Sequence, residues 1–317
     1  MNIRPKGKLF YADAAKGYTI KVLIDVLSQA LNRISMTLTK EGIHIRKMNQ
    51  NQVILFDTHL EREKFRKFQC KEPKKISLNL NHLQQMIRNV KKKDSMIIYI
   101  DKKEPQKLIF AIKPEGGTSR KTSRTETVSI IFQNEDTPTK EVGLPEQHKD
   151  EEGNIHDVYG YPVVIESSDF QKIKKLISIG REINVKMQSH NYISFYCESG
   201  QVYSVNLEYG NVVDSDDESD DEEESDDEEE SDDEKTIKGW YEAKFYTSIF
   251  NLLIKLPGLC SQIQFYSPKI QGYPLKLKMS AGTGQSILGD IQVYIKDIAQ
   301  INAEQSYSQN QADDNLL

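Results

Sequence analysis

LNHLQQMIRNV, residues 80–90, followed by MIIYID at 96–101 and KLIFAI at 107–112, contains the plan of the whole chain. Leu80, Leu83, Ile87 and Val90 recur at helical spacing and form one apolar stripe, with Gln84, Arg88 and Lys91 opposite. The two segments after it are short and rich in β-branched and aromatic residues, so they read as strands. The unit is therefore a short amphipathic helix with strands around it, and it recurs. Ile20, Leu23, Leu27 and Leu31 form an earlier stripe, with Lys21, Asp25 and Ser28 on the other face. A later one, Phe170, Ile173 and Ile177, opens with a capping-box pattern from Ser168 to Gln171 and shows Lys172, Lys174 and Lys175. The last buries Phe245, Ile249, Leu252 and Leu256 and exposes Ser248, Asn251 and Lys255. Further strands are expected at 127–132, 192–197 and 263–266. Two such units precede a polar connector and two follow it. The expected fold class is α+β, a duplicated architecture of two similar domains, each with two helices on antiparallel sheets. The expected boundaries are 1–133 for the N-terminal domain, 134–160 for the connector, 161–300 for the C-terminal domain and 301–317 for a flexible tail.

Charge points to the partner. The net charge is −6, yet residues 214–234 hold seventeen carboxylates and four serines, so the remainder of the chain carries +11. Such a low-complexity acidic insert cannot pack and is expected to be solvated. A chain that is basic everywhere else suggests a polyanion, with nucleic acid foremost. The polar helix faces carry Lys21, Arg88, Lys91, Lys172, Lys174, Lys175 and Lys255 against only Asp25 and Asp169. Side by side, these helices would make a basic face without base-reading side chains, suited to sequence-independent phosphate contact.

Other classes find little support. No apolar run reaches the roughly 18 residues of a membrane span, so no membrane partner is expected, and the N-terminus has no signal-peptide character. Cys70, Cys197 and Cys260 fit neither a disulfide framework nor a metal-ligand spacing, which leads us to expect buried thiols in a reducing compartment. Gly282-Thr283-Gly284-Gln285-Ser286 lacks the Gly-Lys-Ser/Thr ending of a phosphate loop and reads as a turn. No catalytic residue, cofactor or metal site is expected.

Several segments, in order, resemble the DNA sliding clamps of the proliferating cell nuclear antigen family: GIHIRKM at 42–48 with VIL at 53–55, ISLNL at 76–80, VGLPEQ at 142–147, and LGDIQVY at 288–294. The similarity extends over about residues 8–298, apart from the acidic insert and an insertion near 148–159. The resemblance implies a clamp fold assembling as a homotrimeric ring around double-stranded DNA, with helices lining the hole. It implies edge-strand pairing between subunits through Thr125, Thr127 and Val128 on one side and Tyr203 and Val205 on the other. It also implies a groove for peptide motifs of replication and repair proteins, formed by Met48, Val53, Leu55, Val142, Leu144, Pro145, Tyr294 and Ile295. DNA polymerase and a clamp loader would be further partners, and the setting would be the nucleus.

The sequence departs from the family pattern at Asn49, usually Asp, and at Ile295-Lys296-Asp297, usually ending in Ala-Pro-Lys. The usual modifiable lysine falls near Ser189 or His190. These departures suggest a divergent lineage, one encoded by a large DNA virus included, whose setting would be a cytoplasmic replication site. Two other readings stay open: a subunit of a heteromeric checkpoint-type clamp, and a chaperone of basic DNA-binding proteins that works through its acidic tract.

Overall fold

The computed structural model describes residues 5–114, 125–135, 142–150, 152–188, 191–200, 202–212 and 240–314. The acidic insert and the Ser189 and His190 positions lie outside the described residues. The first domain runs β1 (Lys8–Ala14), α1 (Gly17–Ala30), β2 (Arg33–Leu38), β3 (Gly42–Met48), β4 (Ile54–Glu61), β5 (Lys67–Cys70), β6 (Lys74–Asn79), α2 (Leu80–Ile87), β7 (Ser95–Asp101), β8 (Glu104–Lys113), β9 (Glu126–Ile131) and β10 (Gln133–Asn134). The connector holds a hairpin, β11 (Gln147–Lys149) and β12 (Ile155–Asp157). The second domain runs β13 (Val163–Glu166), α3 (Ser167–Phe170), α4 (Ile173–Ile177), β14 (Glu182–Gln188), β15 (Tyr192–Ser199), β16 (Tyr203–Gly210), β17 (Trp240–Tyr246), α5 (Thr247–Leu253), β18 (Gln262–Tyr266), β19 (Leu275–Ser280), β20 (Gly289–Ile295) and α6 (Ile298–Asp314).

Local chemistry sets the element ends. Asn79 caps α2 by accepting the His82 N–H at 3.0 Å, and Leu80, Leu83 and Ile87 are buried as the stripe requires. At the start of α1 a Cβ on Gly17 would lie 2.7 Å from the Met96 Cβ, so only glycine lets the helix meet β7 there.

The sheets tie the two domains together. One of nine strands has the order β10-β6-β2-β3-β4-β20-β19-β18-β13 and crosses the domain boundary through the antiparallel pair β4–β20. The register runs from Leu60 opposite Gly289 to Ile54 opposite Ile295. Gly289 sits at φ 155° where a Cβ would fall 1.9 Å from the His59 carbonyl oxygen, so the join depends on its missing side chain. A five-stranded sheet, β5-β1-β7-β8-β9, belongs to the first domain and a four-stranded one, β16-β15-β14-β17, to the second. The main apolar core runs through both domains, and a smaller cluster of Tyr11, Ile97, Tyr99, Ile109 and Ala111 lies in the first.

Three expectations need correction. The third helix is two short turns, α3 and α4, because the N–H groups of Lys172, Lys174 and Lys175 each bond three residues back rather than four. Its capping box does not form: Glu166 occupies the cap position without a side-chain bond, and the Ser167 hydroxyl donates instead to the Cys260 carbonyl at 2.7 Å. In the fourth helix Phe245 belongs to β17, and Phe250 and Leu253 take the buried places while Leu252 is half-buried. The tail expected over 301–317 carries the helix α6 as far as Asp314. Asp297 accepts the Gln300 N–H at 2.8 Å while the Gln300 side chain accepts the Asp297 N–H at 2.9 Å, a capping box that starts a helix directly after β20.

Candidate nucleic-acid interface and connector groove

The helices form one layer in which α2 lies beside α1, α1 beside α5 and α5 beside α4. Their apolar stripes are buried, so the opposite faces make a shared surface. Arg88, Lys91, Lys174, Lys175 and Lys255 stand exposed on it, without ion-pair partners among the described residues. Two expected members are neutralised in place. Lys21 pairs with Asp25 at 2.5 Å, and Asp25 also accepts from Gln84 at 2.9 Å. Lys172 pairs with Asp169 at 2.7 Å. The structure adds Lys92 and Lys93, exposed in the turn after α2. Their signal was a run of three lysines before Asp94, which falls beyond the last residue of the helical stripe.

Beneath the connector the expected groove residues divide by sheet face. Met48, Val53, Leu144 and Pro145 are half-buried and Val142 is exposed. Leu55 and Tyr294, paired across β4 and β20, are buried under the connector. Ile295 is fully buried in the core, since strand alternation turns it away from its neighbour Tyr294. These three are therefore covered in this structure and line no open surface. Asn49 closes the adjoining loop, its side-chain oxygen accepting the N–H groups of Val53 at 2.8 Å and Ile54 at 3.0 Å.

A polar cluster pins the connector to the sheet. Glu146 forms an ion pair with the buried Lys276 at 2.5 Å and accepts the Tyr294 hydroxyl. The Lys276 ammonium lies 5.2 Å from the ring centres of Tyr159 and Tyr266 and 5.8 Å from that of Tyr294. Tyr159 donates to the Pro274 carbonyl at 2.7 Å. Burial, reinforced by the Glu146 carboxylate, pushes the phenols of Tyr159 and Tyr294 far above their ordinary range, so both stay protonated donors. The hairpin β11–β12 continues the attachment through His148, 3.0 Å from the Tyr273 hydroxyl.

The expected subunit-interface residues lie on two sheet edges. β9 borders the five-stranded sheet and β16 the four-stranded one. Thr127 and Tyr203 are exposed, Thr125 is half-buried, and Val128 and Val205 pack against the core from those edges. Ile131 at 72% exposure and Val202 at 91% add apolar side chains at the same two places. Residues 282–286 make a capped turn. Among the described residues no group of three or more His, Cys, Asp or Glu side chains is placed to hold a metal. All three cysteines are buried, and burial raises each thiol.

Known proteins resemble this chain in sequence and in fold. Residues 9–136 match the family described as "Proliferating cell nuclear antigen, N-terminal domain". The chain is 32% identical over 124 residues to the DNA polymerase sliding clamp of Pyrococcus furiosus, covering 39% of this chain and 45% of that protein. It is 27% identical over 108 residues to the clamp of Thermococcus gammatolerans, covering 34% and 41%. The matched segments thus span less than half the length of these relatives. The crystal structure of the proliferating cellular nuclear antigen from Entamoeba histolytica superimposes with a TM-score of 0.65 at 15% identity, over 92% of this chain and 99% of that one. The N-terminal part of this chain is therefore a divergent homologue of the proliferating cell nuclear antigen N-terminal domain, and the chain has the fold of that antigen over 92% of its length.

Proposed function

We propose that the chain is a DNA sliding clamp, a ring subunit that encircles duplex DNA and holds replication and repair proteins on it without catalysing a reaction. The observation that carries this reading is a repeated sheet junction. Within each domain β4 and β16 are counterparts, as are β9 and β20, each pair holding the same place in the helix-and-strand order. Inside the chain β4 pairs with β20, whereas β16 and β9 are left as edges. Pairing β9 of one copy with β16 of the next repeats the internal junction and joins the five- and four-stranded sheets into one of nine, matching the sheet within the chain. Head-to-tail contacts of this kind close into rings and cover the β9 and β16 edges. Three copies are the number the resemblance implies.

The helix layer would then face the hole. Its unpaired cations contact phosphates without reading bases, and retention comes from encirclement. DNA polymerase, a clamp loader and peptide-motif proteins would engage the outside near Val142 and Leu144. The mass in solution tests the reading: a homotrimer has three times 36.4 kDa, about 109 kDa. Val205→Pro, which removes a backbone donor from β16, should give monomers. A wild-type monomer at micromolar concentration refutes the homotrimer and favours a subunit that assembles only with different chains.

A further inference from the structure

The duplication also exposes a difference between the halves. In the first domain the strand preceding the second helix, β6, has its outer edge covered by β10, the segment just after the last strand. The corresponding strand of the second domain is β17. Among the described residues its only strand partner is β14, because the chain after β20 turns into α6. A cavity of about 750 Å³ runs beside β17, between the 268–273 loop and the start of α6.

Its polar groups are poised for a ligand. Tyr241 is 6% exposed and lines the cavity, yet its hydroxyl has no hydrogen-bond partner, and the side-chain oxygen of Asn184, also in the lining, has none. Buried polar groups are normally satisfied. Asp297 and Glu242 add carboxylates, Glu242 already accepting from the Asn184 amide at 2.6 Å; Tyr273 adds an aromatic wall and Trp240 a second, one face of which the Lys186 ammonium covers at 4.4 Å, and Lys244 is the cation in the lining. Burial raises the Asp297 carboxyl, which a cation beside it would reverse. The acidic insert ends at Glu234, six residues before Trp240. With no second strand on β17 among the described residues and only helix α6 recorded against that side, the edge offers backbone pairing, and the cavity offers mainly acceptors.

We propose that the β17 edge and its cavity form a docking site for an extended basic segment of a partner protein, which adds as a strand and seats one arginine side chain in the cavity. A planar guanidinium carries five N–H donors and stacks on aromatic rings, so it can meet several acceptors at once. Strand addition supplies backbone bonds while the pocket selects the side chain. The site needs no ring and is independent of the clamp reading.

Fluorescence anisotropy on the full-length protein tests this, with a labelled peptide alternating valine with lysine around a central arginine. Companion peptides carry citrulline at the centre or N-methyl groups on alternate backbone amides. Tyr241→Phe and Asp297→Asn should each weaken binding of the arginine peptide by about tenfold, the scale of one lost hydrogen bond to a charged group. Neither should lower the melting temperature, because the lost hydroxyl is unpartnered and Asn caps a helix as well as Asp. Citrulline should weaken binding to wild type and abolish the difference between wild type and Asp297→Asn. N-methylation should remove binding. Deleting 214–234 should weaken binding mainly at low salt. Unchanged affinity in both point variants, or for the N-methylated peptide, overturns the proposal, as does absence of binding to wild type. Loss of binding on deletion of the insert alone would assign the peptide to the acidic tract.

Discussion

Replacing Glu146 with alanine should release the connector from the sheet, and the cost can be worked from the geometry. The variant strands the Lys276 ammonium, whose side chain is 9% exposed, and removes one of two acceptors of the Tyr294 hydroxyl, leaving the Gln292 side-chain oxygen at 2.6 Å. Deleting one partner of a fully buried ion pair costs about 3–5 kcal/mol. The Glu146 side chain is 35% exposed, so water already screens part of the pair, and three tyrosine rings continue to face the ammonium. We therefore expect a loss of about 2 kcal/mol, roughly a thirtyfold change in the folding equilibrium. The opposite deletion, Lys276→Met, should cost less than about 1 kcal/mol, because Glu146 can turn to water and a thioether fills the buried space. Urea denaturation of both variants and of the double variant measures this, and limited trypsin digestion reports whether cleavage at Lys149 accelerates in Glu146→Ala. The double variant should resemble Lys276→Met. If Lys276→Met proves as damaging as Glu146→Ala, the lysine contributes to stability in its own right and the stranded-charge argument is wrong.

The helix layer should contact DNA through its unpaired cations. Changing Arg88, Lys175 and Lys255 together to Glu should flatten the salt dependence of DNA association by about 0.9 in slope for each phosphate no longer neutralised. Lys21→Ala, already neutralised by Asp25, should leave the slope unchanged in the same titrations. Leu144→Asp should sharply weaken a Gln-x-x-Leu-x-x-Phe-Phe peptide in calorimetric titration while sedimentation shows the assembly intact; equal affinity would move the partner site away from the connector. At Asp57 burial pushes the carboxyl upward, but hydrogen bonds from His44 at 2.7 Å and Arg46 at 2.8 Å outweigh it and hold the group below its ordinary value. Its contribution to stability is thus present above the unfolded value near about 3.9 and lost as pH falls through the folded one, so Asp57→Asn should flatten acid denaturation below about pH 4.

The sequence made the duplication legible because each helix carries its own apolar stripe, and stripes survive small errors in helix length. Helices α1 and α2 bury the stripes read for them, with Leu31 and Val90 buried just past the helix ends. The third helix failed at Lys172 because periodicity reports which residues are buried and not how many bonds span them; two turns with three-residue bonding bury Phe170 and Ile173 as well as one helix would. The exposure of the basic side chains on the helix faces was legible, whereas the ion pairs of Lys21 and Lys172, each with an Asp one turn away, were not. Ile295 was misplaced in the groove because a resemblance transfers a segment, whereas strand alternation decides which of two neighbours faces outward. The α6 helix was readable in principle, since Asp297-Ile298-Ala299-Gln300 is a capping-box spacing, but the polar residues that follow conceal it.

The edges discriminate between the clamp and the acidic chaperone more sharply than charge does. Both readings accommodate an acidic insert and a basic remainder. A chaperone working through a solvated tract has no use for an open strand edge with Tyr203 at 55% exposure and Val202 beside it, or for Ile131 standing out near the other edge. A chain with two such edges invites uncontrolled pairing unless something covers them. The edges are also not interchangeable with the others. β10 covers β6, while β9 and β16 remain free at the two positions whose counterparts, β20 and β4, are joined inside the chain. A fold that makes one junction internally and leaves both halves of the same junction unpaired supports the proposed pairing with copies of itself or close relatives. The chaperone reading gives no account of the matched β9 and β16 edges, whereas the proposed ring pairs them.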